Sequence, residues 1–406
     1  MADWLNGARL LIYSHDTFGL GHLRRCQSIA HALVERYKGL SVLILSGSPI
    51  IGSFDFRARV DFVRIPGVIK LYNGEYTSLG LHIDLKETMA IRASIIHHTA
   101  QTFAPDLFLV DKEPLGLKGE IHDTLTMLKS RGTQLVLGLR DIMDEPTLLR
   151  REWRSKNLMP ALDELYDDIW VFGLEEIWDP LTDLDVSPAV RDKMVYTGYL
   201  PRQVPKHSKA LSPVEMDEPY LLVTAGGGGD GDAMMDWTMR AYEADPELPY
   251  PAVFVLGPFM RSEMQNELME RGARLDRVEV VAFDSHMELL MKKSSGVVAM
   301  GGYNTFCEII SLDKRALIIP RSHPRQEQLI RARRADELGL VRMLTDDSIS
   351  DPQVMIDALR ALPAQRLPSE AKIPNLLGGQ AKVGDLAGQS LRQRKGPELV
   401  VLQGQN

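Results

Sequence analysis

The chain has 406 residues, 44% of them hydrophobic and 25% charged, with a formal net charge of −8. That length predicts two domains rather than one core, and the acidic balance argues against non-specific nucleic-acid binding, which needs a basic face. Cys26 and Cys307 are the two cysteines, without CxxC companions, which excludes a zinc ribbon or disulfide framework and fits a reducing cytosol.

No charged-then-apolar leader opens the sequence, and no run of about 18 apolar residues occurs in it, so a cytoplasmic protein is expected. In chain order, short apolar runs at 10–13, 42–45, 61–65, 107–110, 134–139 and 168–172 read as buried strands. Amphipathic stretches at 24–37 and 85–103 lie between them. The pattern restarts at 220–224, 252–256, 278–282, 296–299 and 316–319. Alternation of this kind predicts parallel sheets with helices on both faces. Two doubly wound domains follow, over 1–200 and 220–370. The proline-rich 201–219 reads as the link between them, and 371–406 as a helix or a loosely packed tail. Ligands of such sheets bind beyond the carboxyl ends of the strands, so the loops after strands carry the candidate residues.

The first such loop is His15-Asp-Thr-Phe-Gly-Leu-Gly-His-Leu-Arg-Arg-Cys26, a glycine turn running into a helix, with His22 after the second glycine. The second domain opens with Ala225 and four glycines, Gly226 to Gly229, then Asp230 and Gly231. That loop formally satisfies GxGxxG, but the following strand ends without the acidic residue that a nicotinamide cofactor's ribose requires. Its free backbone N–H groups before a helix still suit a diphosphate. Met300-Gly-Gly-Tyr-Asn-Thr-Phe-Cys-Glu308 is a third loop, in which Glu308 either caps a helix start or accepts the two hydroxyls of a ribose. A fourth packs arginines, a histidine, an acid and amides between Pro320 and Gln328.

Together these segments resemble the MurG-like, family 28-like group of GT-B glycosyltransferases, which use a UDP-sugar donor. The resemblance lies in Gly19-Leu-Gly-His22, Thr197-Gly-Tyr-Leu-Pro-Arg202, 225–231, Gly301 to Glu308 and Pro320 to Gln328, in that order along residues 10–335. It implies a GT-B fold, an inverting reaction without a metal and no cofactor beyond the UDP-sugar substrate, of a UDP-GlcNAc kind. It further implies a donor site of Gly19, Gly21, Arg202, Gly226, Gly227, Gly228, Gly229, Phe283, Asp284, Gly301, Gly302, Asn304, Thr305, Glu308, His323, Glu327 and Gln328. Glu308 would hold the ribose, Phe283 and Asp284 the base, Arg202 and the glycines the diphosphate, and Glu327 and Gln328 the sugar. The group usually has two glutamines where this chain has Glu327-Gln328, and a serine where it has Gly228.

His22 would then be the base that deprotonates the acceptor, a task suited to a near-neutral pKa, with Asp111 orienting it. Asp230-Gly-Asp232 is nominally a DxD metal motif, but it lies inside the diphosphate loop. The turn Gly19-Leu-Gly-His-Leu-Arg-Arg-Cys26 also resembles the UDP-sugar hydrolases of pseudaminic-acid synthesis, in which water replaces the acceptor. A non-catalytic nucleotide-sugar-binding protein is a third reading. The resemblance implies a sugar or lipid-linked acceptor, polysaccharide or glycolipid assembly, and peripheral membrane contact through 68–72 and 90–98. Ile91, Ile95 and Ile96 would alternatively face the core.

Overall fold

The computed structural model describes residues 3–5, 7–15, 21–70, 75–204, 214, 216, 218–227, 229–284, 287–345 and 351–395. Strands form where apolar residues run without polar alternation, because helices cover both faces of a parallel sheet. In the first half they are β1 (Arg9–Ser14), β2 (Ser41–Ser46), β3 (Val60–Arg64), β4 (Leu107–Asp111), β5 (Gln134–Arg140), β6 (Asp168–Phe172) and β7 (Met194–Tyr196). Their spatial order is β7-β6-β5-β4-β1-β2-β3, all parallel. The second half has β8 (Leu221–Thr224), β9 (Ala252–Val255), β10 (Val278–Val281), β11 (Gly296–Ala299), β12 (Ala316–Ile318) and β13 (Arg342–Met343). These lie in the order β10-β9-β8-β11-β12-β13, again parallel. Each sheet starts at its centre and winds outward both ways. That winding opens a crevice beyond the carboxyl ends of β1 and β4 in one domain, and of β8 and β11 in the other.

The structure adds β7 and β13, and a small antiparallel pair of Val68–Lys70 with Tyr76–Ser78, to the strands read from sequence. All are too short for an apolar run to announce them. Helix α1 (Gly21–Arg36) follows β1, and α2 (Leu85–Phe103) precedes β4. Asp84 caps α2 by accepting from Glu87 N at 2.7 Å, which satisfies one of the orphan donors of a helix start. Of the three isoleucines on α2, Ile96 is fully buried and Ile95 packs partly against the core, while Ile91 is 40% exposed. In the second domain α3 (Asp232–Ala244) follows β8, α4 (Tyr303–Ser311) follows β11 and α5 (Glu327–Glu337) follows β12.

The chain then returns to its first domain. Helix α6 (Gly379–Lys395) buries Val383, Ala387 and Leu391 in the same cluster as Leu33 and Tyr37. These residues recur every fourth position and so share one helix face. Tyr37 Oη donates to Gly384 O at 2.9 Å, and Gln380 Nε2 to Ser28 Oγ at 3.2 Å. Of the two readings for 371–406, the helix is the one that 379–395 takes, with a narrow apolar stripe inside a polar composition. It docks closely enough that a Cβ on Gly388 would lie 2.1 Å from Tyr37 Oη. Gly388→Ala should cost about 1–3 kcal/mol through overpacking. Thermal unfolding checks this, and an unchanged midpoint would mean that α6 docks without that approach.

Candidate active site

The first-domain side of the crevice is built by the start of α1 and the end of β4. His22 and Arg25 are three residues apart and share a helix face. His22 Nδ1 lies 2.5 Å from Asp111 Oδ2, and Arg25 grips the same carboxylate with Nε at 2.8 Å and Nη2 at 2.6 Å. Burial raises the energy of the Asp111 carboxylate, but Arg25 and His22 outweigh it and hold the acid well below its usual range. An ionised carboxylate only accepts, so Nδ1 carries the shared hydrogen and Nε2 is left as a base. Nε2 makes no hydrogen bond to another described residue. Burial pushes the His22 pKa down to about 4 against the pull of Asp111, so the ring is neutral at pH 7. His15 stands edge-on to it, with ring centroids 5.7 Å apart.

The second domain supplies the facing wall. Gly226 takes a left-handed φ of 66° at the start of the glycine loop, a backbone that favours glycine. Its ideal Cβ position is 3.8 Å from Thr305 Oγ1, which brings this loop beside the start of α4. Gly301 and Gly302 lead into α4, and Gly302 approaches Gln328 Nε2. Because α4 starts at Tyr303, Glu308 lies in its second turn and caps nothing. The Glu308 carboxyl is buried, which raises its pKa, and Arg24 Nη2 stands 2.7 Å from Oε1 in opposition. Arg24 also pairs with Glu288.

Glu327 Oε1 accepts from Arg321 Nη2 at 2.5 Å, while its buried Oε2 has no partner. Gln328 Oε1 accepts from Arg321 N at 3.3 Å. Phe283 is 47% exposed and Asp284 is buried, both just beyond β10. His323 is exposed, with Nδ1 3.0 Å from Ser322 Oγ. Gly227 and Gly229 are exposed in the loop, and Gly19 and Gly228 lie outside the described residues.

Arg202, expected beside the diphosphate, and Asn304, expected in the donor site, bond to each other across the domain junction. Arg202 donates to Asn304 Oδ1 at 2.6 Å and to Arg24 O at 3.1 Å, while Asn304 Nδ2 donates to Gly21 O at 3.1 Å. Both residues therefore act as struts between α1 and α4, with Arg202 Nε left buried and unbonded among the described residues. Sequence reading gave no site role to the other side chains that lace the crevice. Arg331 pairs with Asp141 through Nε and Nη2, each at 2.7 Å, and Arg325 meets Asp144 at 2.7 Å. The one signal available was the position of Asp141 immediately beyond β5.

Residues 252–385 match the glycosyltransferase family 28 C-terminal domain. The match takes in the second domain from β9 onward and the start of α6. An uncharacterized glycosyltransferase of Methanosarcina acetivorans is 24% identical over 179 residues, 44% of this chain and 43% of that protein. The UDP-N-acetylglucosamine--N-acetylmuramyl-(pentapeptide) pyrophosphoryl-undecaprenol N-acetylglucosamine transferase of Exiguobacterium sibiricum is 25% identical over 197 residues, 47% of this chain and 52% of that protein. The chain thus spans about half the length of the curated relatives it matches.

Among solved structures, the calicheamicin glycosyltransferase CalG4 aligns with a TM-score of 0.62 at 16% identity, over 95% of this chain and 98% of its own. Acinetobacter baumannii MurG gives 0.58 at 12%, over 94% and 99%. A UDP-N-acetylglucosamine 2-epimerase gives 0.62 at 12%, over 97% of each chain. The fold is GT-B, and the chain, with its family 28 domain, is MurG-like. Because this one fold serves transferases and an epimerase, the chemistry has to be read from the residues.

Proposed function

We propose that the protein is an inverting, metal-independent glycosyltransferase that moves a sugar from a UDP-sugar of the UDP-GlcNAc kind to an acceptor hydroxyl. The observation that carries this reading is the Asp111-oriented His22. Its neighbour Gly21 is bonded to Asn304 at the start of α4, so the base stands directly against the family 28 domain. His22 Nε2 takes the acceptor's proton as that oxygen attacks the anomeric carbon. A carbon–oxygen bond forms on one face while the bond to UDP breaks on the other, and its electron pair leaves with the diphosphate. Asp111 stabilises the imidazolium that results.

Backbone N–H groups of the loop before α3 receive the diphosphate. Both carboxylates of the nominal DxD are already engaged, Asp230 by Arg321 and Asp232 by Arg261, which supports a role for arginine rather than a cation there. Turnover in EDTA equal to that in buffer is the expected outcome. Glu308 takes the ribose hydroxyls once Arg24 moves aside. Of the expected membrane segments, Val68 is buried, Ile91 is 40% exposed and residues 71 and 72 lie outside the described residues. We assign Ile91, with the exposed Leu79, Leu81 and Ile83, to contact with a membrane surface that presents a lipid-linked acceptor. Co-flotation with anionic vesicles tests that assignment. Among the described residues no helix is long and apolar enough to cross a membrane.

The experiment for the donor site is thermal unfolding against UDP, UDP-GlcNAc, UDP-glucose, GDP and dTDP. A ligand specific to the folded state contributes about 2.7 kcal/mol at 100 times its dissociation constant. Uridine nucleotides should stabilise the wild type and fail to stabilise Glu308→Ala. Stabilisation by GDP or dTDP alone would overturn the UDP reading. The hydrolase alternative is separated by sugar release from UDP-GlcNAc with no acceptor present, which should be far slower than transfer.

A further inference from the structure

Arg140 is the last residue of β5, beside the end of β4: Asp111 registers with Gly138, and Lys112 N donates to Gly138 O at 2.8 Å. It thus stands in the crevice between the proposed base and the family 28 domain. Among the described residues the Arg140 side chain forms no hydrogen bond or ion pair, and its Nε is closed off from solvent. The arginines around it are all engaged: Arg25 by Asp111, Arg331 by Asp141, Arg321 by Glu327 and Arg325 by Asp144. An uncompensated guanidinium in a partly desolvated place costs folding free energy, and it stays charged there because its intrinsic pKa is so high.

The residue after Arg140, Asp141, grips Arg331 at 2.7 Å. Arg331 lies one turn along α5 from Glu327, which brings the start of α5 to the end of β5. Glu327 is the acid that acts most strongly on the Arg140 charge. Glu327 Oε2 is buried and likewise unbonded, yet no hydrogen bond joins the two side chains. A donor and an acceptor therefore sit near each other in the cleft, each unsatisfied. On the neighbouring strand end, Lys112 adds a second cation, with a left-handed φ of 72° and a loose 3.5 Å pair to Glu113.

We propose that Arg140 anchors an oxyanion subsite, supported by Lys112, that takes a phosphate or carboxylate carried by one of the two substrates while Glu327 Oε2 accepts a neighbouring hydroxyl. The subsite rests on the sugar-transfer reading. Its chemistry has two sources: a uronate on the donor sugar, or a phosphate on the acceptor. Planar, bidentate arginine suits either oxyanion.

The test uses the full chain with Arg140→Gln and Arg140→Lys. Without ligand, Arg140→Gln should keep or exceed the wild-type unfolding midpoint, since it removes an unpaired charge. A fall of several degrees would mark Arg140 as a structural cation and overturn the proposal. With ligand, two comparisons are made by thermal unfolding and calorimetry: UDP-glucuronate against UDP-glucose, and inorganic phosphate added to the UDP complex. One of these oxyanions should bind the wild type, bind Arg140→Gln at least ten-fold more weakly, and bind Arg140→Lys at an intermediate level. A response to UDP-glucuronate assigns the oxyanion to the donor, and a response to phosphate assigns it to the acceptor. Equal binding of both probes by wild type and Arg140→Gln overturns the subsite. UDP alone should stabilise wild type and Arg140→Gln alike. Failure of the transfer reading would show separately, as a wild type that UDP does not stabilise.

Discussion

Replacing His22 with alanine is expected to lower kcat by roughly 10²- to 10⁴-fold, the usual contribution of a positioned general base, while UDP still stabilises the fold. The ring is held neutral by burial, with a pKa of about 4, so the acidic limb of kcat/KM should fall near pH 4 and not near the unperturbed value of about 6.5. Asp111→Asn removes the charge that raises the His22 pKa. That limb should therefore move lower still, with a reduced plateau, because the tautomer is no longer fixed. Stability follows the same group. Its folded pKa lies below its unfolded pKa, so the unfolded chain takes up the proton first. Stability is lost as pH falls from about 6.5 to about 4 and loses nothing more from this group below that window. His22→Ala should flatten that part of the stability curve. A variant with wild-type kcat would remove His22 from the chemistry.

The largest loss of stability is expected from Arg331→Ala. Arg331 and Asp141 are 1% and 0% exposed at their side chains, held bidentately at 2.7 Å, with Arg331 Nη1 also donating to Gly301 O at 3.0 Å. Removing the guanidinium strands a buried carboxylate that keeps, among the described residues, the Tyr199 hydroxyl at 2.9 Å. Breaking such a pair costs about 3–5 kcal/mol, readable as a lower urea midpoint. Replacing both members, as Arg331→Met with Asp141→Leu, should recover most of that loss, because no lone charge is left behind. A double-mutant cycle measures the coupling. A single-mutant loss below about 1 kcal/mol would mean that water reaches Asp141 and that the pair does not hold the domains.

The strands around both sheet centres were legible because β1, β4, β5, β8 and β11 are covered on both faces and so run apolar from end to end. The edge strands β7 and β13 were not, since two or three residues cannot show a period. The crevice loops were legible for a topological reason: in a doubly wound sheet every strand's carboxyl end opens on the same side. Asp111 beside His22 was within reach of that logic. Arg202 and Asn304 were not, because motif spacing cannot tell whether a polar atom meets a ligand or the other domain. Arg24 illustrates the same limit. It belongs to the quoted turn, but only the folded chain shows it lying against Glu308. Arg140 lies in Leu139-Arg-Asp141-Ile142, a stretch that gave it no role, and what marks it is a side chain without a partner among the described residues.

The polypeptide passes between its two lobes twice, and the passages lie side by side. Tyr199 N donates to Leu376 O at 2.8 Å, Gly379 N to Tyr199 O at 3.1 Å and Gln380 Nε2 to Pro201 O at 3.3 Å. A lone tether would let one lobe twist and swing about any direction. Two tethers strapped together leave a single line of rotation, like the spine of a book. A rotation about that line keeps the facing pages in register and returns His22 to the same spot opposite the second lobe without a search over orientations.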